Sequence, residues 1–339
     1  MSKIVYLIGA GASYGERNKD KSGNIIHGSI KRGLPVVNEL ERSIDDVCNR
    51  IVERDDVYRD PLSIDFQKIV YKELRWLQEQ CKRYPTIDTY AKQLSVTQHS
   101  RELDRLKNAL SIFFILAQSH DTRDLRYDGF IASIIDDICE LPSSISILSW
   151  NYGYQMEYVL QDFSLQKSDL LHIWQSRNIT CKGCQSHIDK SKFNLIKLNG
   201  AALFSIARNH ELIDPTSLDI DTLEKHFSKE DGSWYSNISF AWEKDKNLTN
   251  SIIPIIEDAT VLVVIGYSFP YVNRSIDREL FQNMNCLEHI YIQDAHSSDV
   301  KQSLEATLSE YQLVQIARSE LVISLRESTS QFIIPNELE

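Results

Sequence analysis

Short apolar runs alternate with amphipathic stretches along this chain. Residues 3–8 (KIVYLI) are apolar and β-rich, and Gly9 follows at once. Such a run bounded by glycine predicts a buried parallel strand entering a tight turn. The pattern returns as SISILS (144–149), FNLIKL (193–198), ATVLVVIG (259–266) and EHIYIQD (288–294), each followed by a polar turn. Uninterrupted runs such as VLVVI suit strands covered on both faces. Between the first two strands the period becomes helical. Pro35 stands at the expected start of a helix over about 36–55, carried by ELERSIDDVCNRIVER. Helical patterns such as FQKIVYKELRWLQEQ and ELDRLKNALSIFFILAQ fill about 64–140. Residues 16–34 are polar, carry Gly23, Gly28 and Gly33, and read as a long loop. Residues 204–250 read as helices and loops.

Strand–turn–helix recurrence predicts an α/β fold with a doubly wound, mostly parallel, Rossmann-like sheet. Residues 1–35 and 141–339 would form this nucleotide-binding domain, with 36–140 a helical insertion packed on it. The 339 residues suffice for such a core. A net charge of −11 without a long Lys/Arg run disfavours direct nucleic-acid binding. No stretch reaches the roughly 18 apolar residues of a membrane helix. The opening apolar run is too short for a secretory signal. Six cysteines, at 48, 81, 139, 181, 184 and 286, are too sparse for a disulfide scaffold and point to a reduced, cytoplasmic protein.

Five small or polar clusters follow predicted strands. Gly9-Ala10-Gly11-Ala12-Ser13 lets the backbone approach a pyrophosphate, whose charge amide groups and a helix N-terminus would meet. Tyr14 replaces the third glycine of the dehydrogenase fingerprint, and Gly15 comes one place late. No acid ends a second strand at the usual spacing, so hydride transfer on an ordinary Rossmann site is disfavoured. Ser149-Trp150-Asn151-Tyr152 places an Asn at a strand's carboxyl end, either for function or to cap the following helix. Lys197-Leu198-Asn199-Gly200-Ala201 contains Asn-Gly, also a plain turn signal. Gly266-Tyr267-Ser268-Phe269-Pro270 offers Gly266 and Ser268 to phosphate or ribose, and Gln293-Asp294 offers a ribose acceptor. A doubly wound sheet brings all five to one edge.

With these motifs in this order, the chain resembles the sirtuin-like family. GAGAS matches its opening loop, LSWNY its Asn-containing loop, KLNG its Lys/Glu-Leu-His-Gly turn and GYSF its Gly-x-Ser-Leu loop. GYSFPYVNRSID is particularly similar to bacterial sirtuin-like proteins of the anti-phage type. The resemblance implies NAD as substrate or ligand and its hydrolysis to nicotinamide and ADP-ribose. It also implies a homo-oligomer or a partner protein such as a ring ATPase. Asn151 and Asn199 take the catalytic positions, while Gly9, Ala10, Gly11, Ala12, Ser13, Gly266, Ser268, Gln293 and Asp294 hold the nucleotide. Two departures stand out. Asn199 fills the family's catalytic His position, and Gly153 stands where many bacterial relatives carry Asp. The four-Cys zinc ribbon of the deacylases is reduced to Cys181-x-x-Cys184 with His187 beyond; His172 could complete a ligand set but nothing in the sequence requires it, and no metal is expected. Asn199 can hydrogen-bond a ribose hydroxyl but cannot accept a proton. That counts against deacylation, which needs a base, and less against hydrolysis. An NAD glycohydrolase and a nucleotide-sensing module remain, with His27 and His210 as the other histidines near the motifs.

Overall fold

The computed structural model describes residues 2–56, 68–165, 169–182, 188–228, 233–243 and 246–338. The chain opens with β1 (Ile4–Ile8), a 3₁₀ turn at Ala10–Ser13, and a hairpin of β2 (Glu16–Lys19) and β3 (Ile25–Arg32). Five helices follow: α1 (Leu40–Asp56), α2 (Ile69–Arg83), α3 (Ile87–Val96), α4 (Ser100–Ala117) and α5 (Arg126–Ile134). Then come β4 (Ile145–Ser149), α6 (Gln155–Asp162), α7 (Leu170–Ser176), β5 (Ile179–Cys181) and β6 (Asn194–Lys197). A second small sheet uses β7 (Gly200–Ile206), β8 (Leu212–Ile213) and, after α8 (Ile220–Phe227), β9 (Trp234–Ile238). The rest is α9 (Lys246–Ile256), β10 (Val261–Ile265), α10 (Arg274–Asn283), β11 (His289–Gln293), α11 (Ser297–Glu305), α12 (Glu310–Ala317) and β12 (Val322–Arg326).

Seven strands form one parallel sheet in the order β12-β11-β10-β1-β4-β6-β5. Period-two alternation gives it two apolar faces. Ile4, Tyr6, Ile145 and Ile147 pack against Ile44, Leu74, Phe113 and Ile131 of the early helices. Val5, Leu7, Leu148 and Val264 pack against Ile252, Leu280 and Leu304 of α9, α10 and α11. Helices on both faces make the sheet doubly wound and Rossmann-like. No helix among the described residues is long and apolar enough to cross a membrane.

The chain moves from β1 to its neighbour β4 on one side, and from β10 to β11 on the other. The winding therefore reverses between β1 and β10, where open α/β sheets bind their ligands. The strand ends form one row: Arg326, Gln293, Ile265, Ile8, Ser149 and Lys197 are successive register partners. All five motifs leave the sheet from this row or directly after it.

Two expectations are corrected. Residues 16–34 form an antiparallel hairpin, not a loop. Both its faces are largely solvated, so no apolar alternation marks it. It is fastened from within by buried Arg17, which pairs with Glu39 at 2.6 Å and donates to the Leu34 carbonyl at 2.9 Å. Residues 204–250 contain the second sheet, where β7 pairs antiparallel with β8 and β9. β8 is only two residues long, and β9, the longer partner of β7, lies beyond α8 in sequence, so the ladder leaves no local signal.

At the reversal, the turn after β1 meets the turn after β10 with only backbone between them. Gly11 N–H donates to the Gly266 carbonyl at 2.9 Å, and a Cβ at Gly9 would stand 2.6 Å from that carbonyl oxygen. Gly266 has φ +56 and would press a Cβ onto the Ala12 nitrogen. Gly266→Ala is expected to cost roughly 2–4 kcal/mol, from a left-handed backbone plus a backbone clash. Denaturant unfolding of the variant measures this, and an unchanged midpoint would show that the two turns can part.

Candidate functional site

The opening motif is more tightly self-bonded than a free phosphate cradle. Gly9 N–H donates to Ile265 O, Ala12 N–H to Gly9 O and Tyr14 N–H to Gly11 O. The structure places no α-helix directly behind it, only the four-residue 3₁₀ turn Ala10–Ser13. The expected helix N-terminus is thus one short turn. A cation supports it from outside: Arg126 of α5 donates through Nη2 to the carbonyls of Gly11 at 3.3 Å and Ala12 at 3.1 Å. Its Nε and Nη2 are held by buried Asp124.

Asn151 joins this turn. Its Nδ2 donates to Gly9 O at 2.9 Å and to Ser13 Oγ at 3.1 Å. It does not cap α6, whose N-cap is Tyr154 with no side-chain cap bond. Ser13 Oγ also lies 2.9 Å from the Tyr127 hydroxyl. Burial pushes the Tyr127 phenol well above its ordinary pKa, so it stays protonated.

Beneath Asn151 lies a closed ion pair. Lys197, at the end of β6, donates to Glu157 Oε1 of α6 at 2.7 Å and to the Gly153 carbonyl. Their side chains are 2% and 1% exposed. A charged pair this deep survives only when its hydrogen-bonding capacity is met, and here it ties the 150–154 loop to the sheet. A Cβ at Gly153 would press on Leu34 Cδ1 and stand 2.9 Å from Gln118 Oε1, so a larger residue there requires those two side chains to move. Ser13, Tyr127, Ser149, Asn151, Glu157 and Lys197 contribute to the lining of a cavity of about 10 Å³. That is space for about one water.

The other side of the loop is aromatic. Trp150 stacks on Tyr267 with ring centroids 5.7 Å apart, and Tyr267 meets Phe269 edge-on at 4.7 Å. The Tyr267 hydroxyl donates to Asp277 Oδ2 at 2.7 Å and accepts from Asn273 Nδ2 at 3.0 Å. Asp277 is fully buried, and burial pushes its carboxyl up to about 8 against the opposing pull of the Tyr267 hydrogen bond. Phe269 holds φ +53, a left-handed turn that a non-glycine residue enters only under constraint.

The remaining expected residues lie apart from this cavity or are already engaged. Asn199 is buried but does not line it. Its backbone carbonyl accepts from Ser239, and its Oδ1 has no hydrogen-bond partner among the described residues. Ser268 is exposed. Gln293 donates to the carbonyls of Ser328 and Gln331 and accepts from Ile333 N–H. Asp294 accepts from His296 N–H at the turn into α11. His27 is 64% exposed and lies 3.6 Å from Glu39. His210 is bonded to the Tyr235 hydroxyl. Cys184 and His187 lie outside the described residues, and among the described residues no three His, Cys, Asp or Glu side chains gather as metal ligands.

Arg126, Tyr127 and Glu157 carry no functional signal in the sequence, because they belong to helical segments whose periodicity looks purely structural. One signal was present: Lys197 ends an otherwise apolar strand, and a lysine there needs a buried partner.

No family model matches the chain, and no curated protein matches it.

Lys197→Met is expected to destabilise by about 3–5 kcal/mol, since it strands a buried carboxylate. Adding Glu157→Met should recover most of that loss, and chemical denaturation of the single and double variants reads it directly. An equally unstable double variant would show that the pair matters through packing. For Asp277 the sign follows from linkage. The folded carboxyl titrates at about 8 and the unfolded one near its ordinary value of roughly 3.9. The folded state therefore binds the extra proton, and stability falls as pH rises between those values. Asp277→Asn should flatten the drop in Tm between about pH 5 and about pH 9; parallel slopes for variant and wild type would refute it.

Proposed function

We propose that this chain binds NAD across the carboxyl edge of the sheet and hydrolyses it to nicotinamide and ADP-ribose. The observation that carries this proposal is the hydrogen-bonded union of Asn151 with Gly9 and Ser13, directly above the β1/β10 reversal. In an open α/β sheet that is where a nucleotide crosses from one half to the other. The sequence resemblance supplies NAD as the nucleotide. It also supplies the setting, an anti-phage effector that works as a homo-oligomer or with a partner such as a ring ATPase.

The chemistry asks little of the protein. Nicotinamide leaves as a neutral pyridine, so no acid need protonate it. The ribose cation then needs orientation, charge stabilisation and a water. The carbonyl of Asn151's carboxamide can face that ribose while its Nδ2 stays on the turn. The fixed charge of Glu157 lies in the same cluster, although Lys197 offsets it. Among the described residues no histidine lines the cavity, and water captured by an oxocarbenium ion loses its proton late, so a strong base is dispensable.

A second function has a specific observation in its favour. Asn199, at the position where the resembling family has its His, is buried and does not line the cavity. That arrangement suits a module that senses NAD or ADP-ribose without turning it over.

Purified protein incubated with NAD, alone and with a candidate partner, is expected to release nicotinamide. Asn151→Ala should lower the rate by roughly 10²–10³-fold, the loss seen when one preorganised stabilising group is removed. Bound NAD with no nicotinamide would establish the sensor instead, and absence of both binding and release would overturn nucleotide recognition altogether.

A further inference from the structure

The segment after β12, residues 327–338, does not leave the molecule at the strand's end. It turns back over the carboxyl end of β11 and descends the face of the sheet covered by α1 to α5. Its lower part is anchored by side chains. Phe332 is buried edge-on against Tyr127, with centroids 4.9 Å apart, and against Phe130 at 6.0 Å. Glu337 accepts from the Tyr291 hydroxyl at 3.1 Å. Its upper part differs. Residues 327–331 are exposed. Ser328 and Gln331 accept from Gln293 Nε2 at 2.7 and 2.6 Å, and Thr329 accepts from Arg126 Nη1 at 3.0 Å, all through backbone carbonyls. Ile333 N–H closes the bridge by donating to Gln293 Oε1 at 3.0 Å.

This bridge lies one residue from the glycine-rich turn. The guanidinium that holds Thr329 also holds Gly11 and Ala12. The next residue, Tyr127, touches Ser13 with its hydroxyl and Phe332 with its ring. The bridge engages both donors of the Gln293 carboxamide and one lone pair of its oxygen. Two vicinal hydroxyls of a ribose would ask for the same set, with each oxygen accepting and one hydroxyl donating.

We propose that residues 328–331 are a self-bound strap that occupies the nucleoside half of the ligand edge, and that a ribonucleotide binds by displacing it from Gln293. This proposal rests on the nucleotide binding proposed above. Its consequence is regulation: apparent affinity is the intrinsic affinity reduced by the fraction of molecules with the strap undocked. Anything that draws the strap away, such as a partner chain, would raise nucleotide affinity without touching the site.

Hydrogen exchange on the full chain, with and without saturating ADP-ribose, tests this, alongside calorimetric titration of wild type and Phe332→Ala. Expected are ADP-ribose binding, exchange of the Ile333 amide, whose hydrogen bond to Gln293 is lost with the strap, accelerated roughly tenfold or more in the complex, and roughly tenfold tighter binding by Phe332→Ala. If ADP-ribose binds while exchange of the Ile333 amide is unchanged or slowed, the strap proposal is overturned and nucleotide binding stands. If neither ADP-ribose nor NAD binds wild type or variant, nucleotide binding fails and the strap falls with it. Should Phe332→Ala not fold, the wild-type exchange decides by itself.

Discussion

The amide of Gly11 bonded to the carbonyl of Gly266 is the contact on which the edge of this molecule depends. Two strands that diverge in the winding are joined there with no side chain between them. A Cβ on Gly9, Gly11 or Gly266 would wedge the turns apart and shift Ser13, which positions Asn151. The glycine pair therefore answers first to the fold. Any phosphate it meets finds a turn already spending most of its amides internally, with Arg126 as the nearest supporting cation.

The 149–154 loop is gripped from both faces of the sheet by different physics. On the face covered by α1 to α5, a charged pair removed from water holds the Gly153 carbonyl. On the other face, Trp150 is clamped by Tyr267, which leans on Asp277. The first grip is directional, because its geometry is fixed by hydrogen bonds to charged atoms. The second is broad and apolar, with one neutral carboxyl at its base. Together they leave Asn151 little freedom, which is the preorganisation that a site for developing charge requires.

Much of this architecture can be read in the amino-acid order. KIVYLI, SISILS, FNLIKL and VLVVI are apolar because both faces of their sheet are covered, so their pattern reports parallel strands directly. The convergence of their turns follows from topology. What stayed hidden is what depends on distant partners. β5 and β12 are short or solvated edge strands, β7 finds β9 only across a helix, and β2 and β3 carry no apolar face. In the site, Asn151 was legible because it follows a strand at once. Glu157, Arg126 and Tyr127 were not, because they reach it from helices whose sequence announces packing alone. Gln293 was legible as a polar strand end, but the segment that satisfies it lies 35 to 40 residues further on.

The helices α1 to α5 and the first face of the sheet share one continuous apolar core, from Ile4 and Tyr6 through Leu74 and Phe113 to Ile131. They also lend Arg126 and Tyr127 to the glycine-rich turn. In evolutionary terms, such helices are not a cassette. Lineages could exchange or trim them only by rebuilding one face of the sheet and the support of the turn together. Diversification would therefore proceed through the solvated positions of the hairpin at 16–32, outside Arg17 and Gly28, which tie it to Glu39 and Ser43.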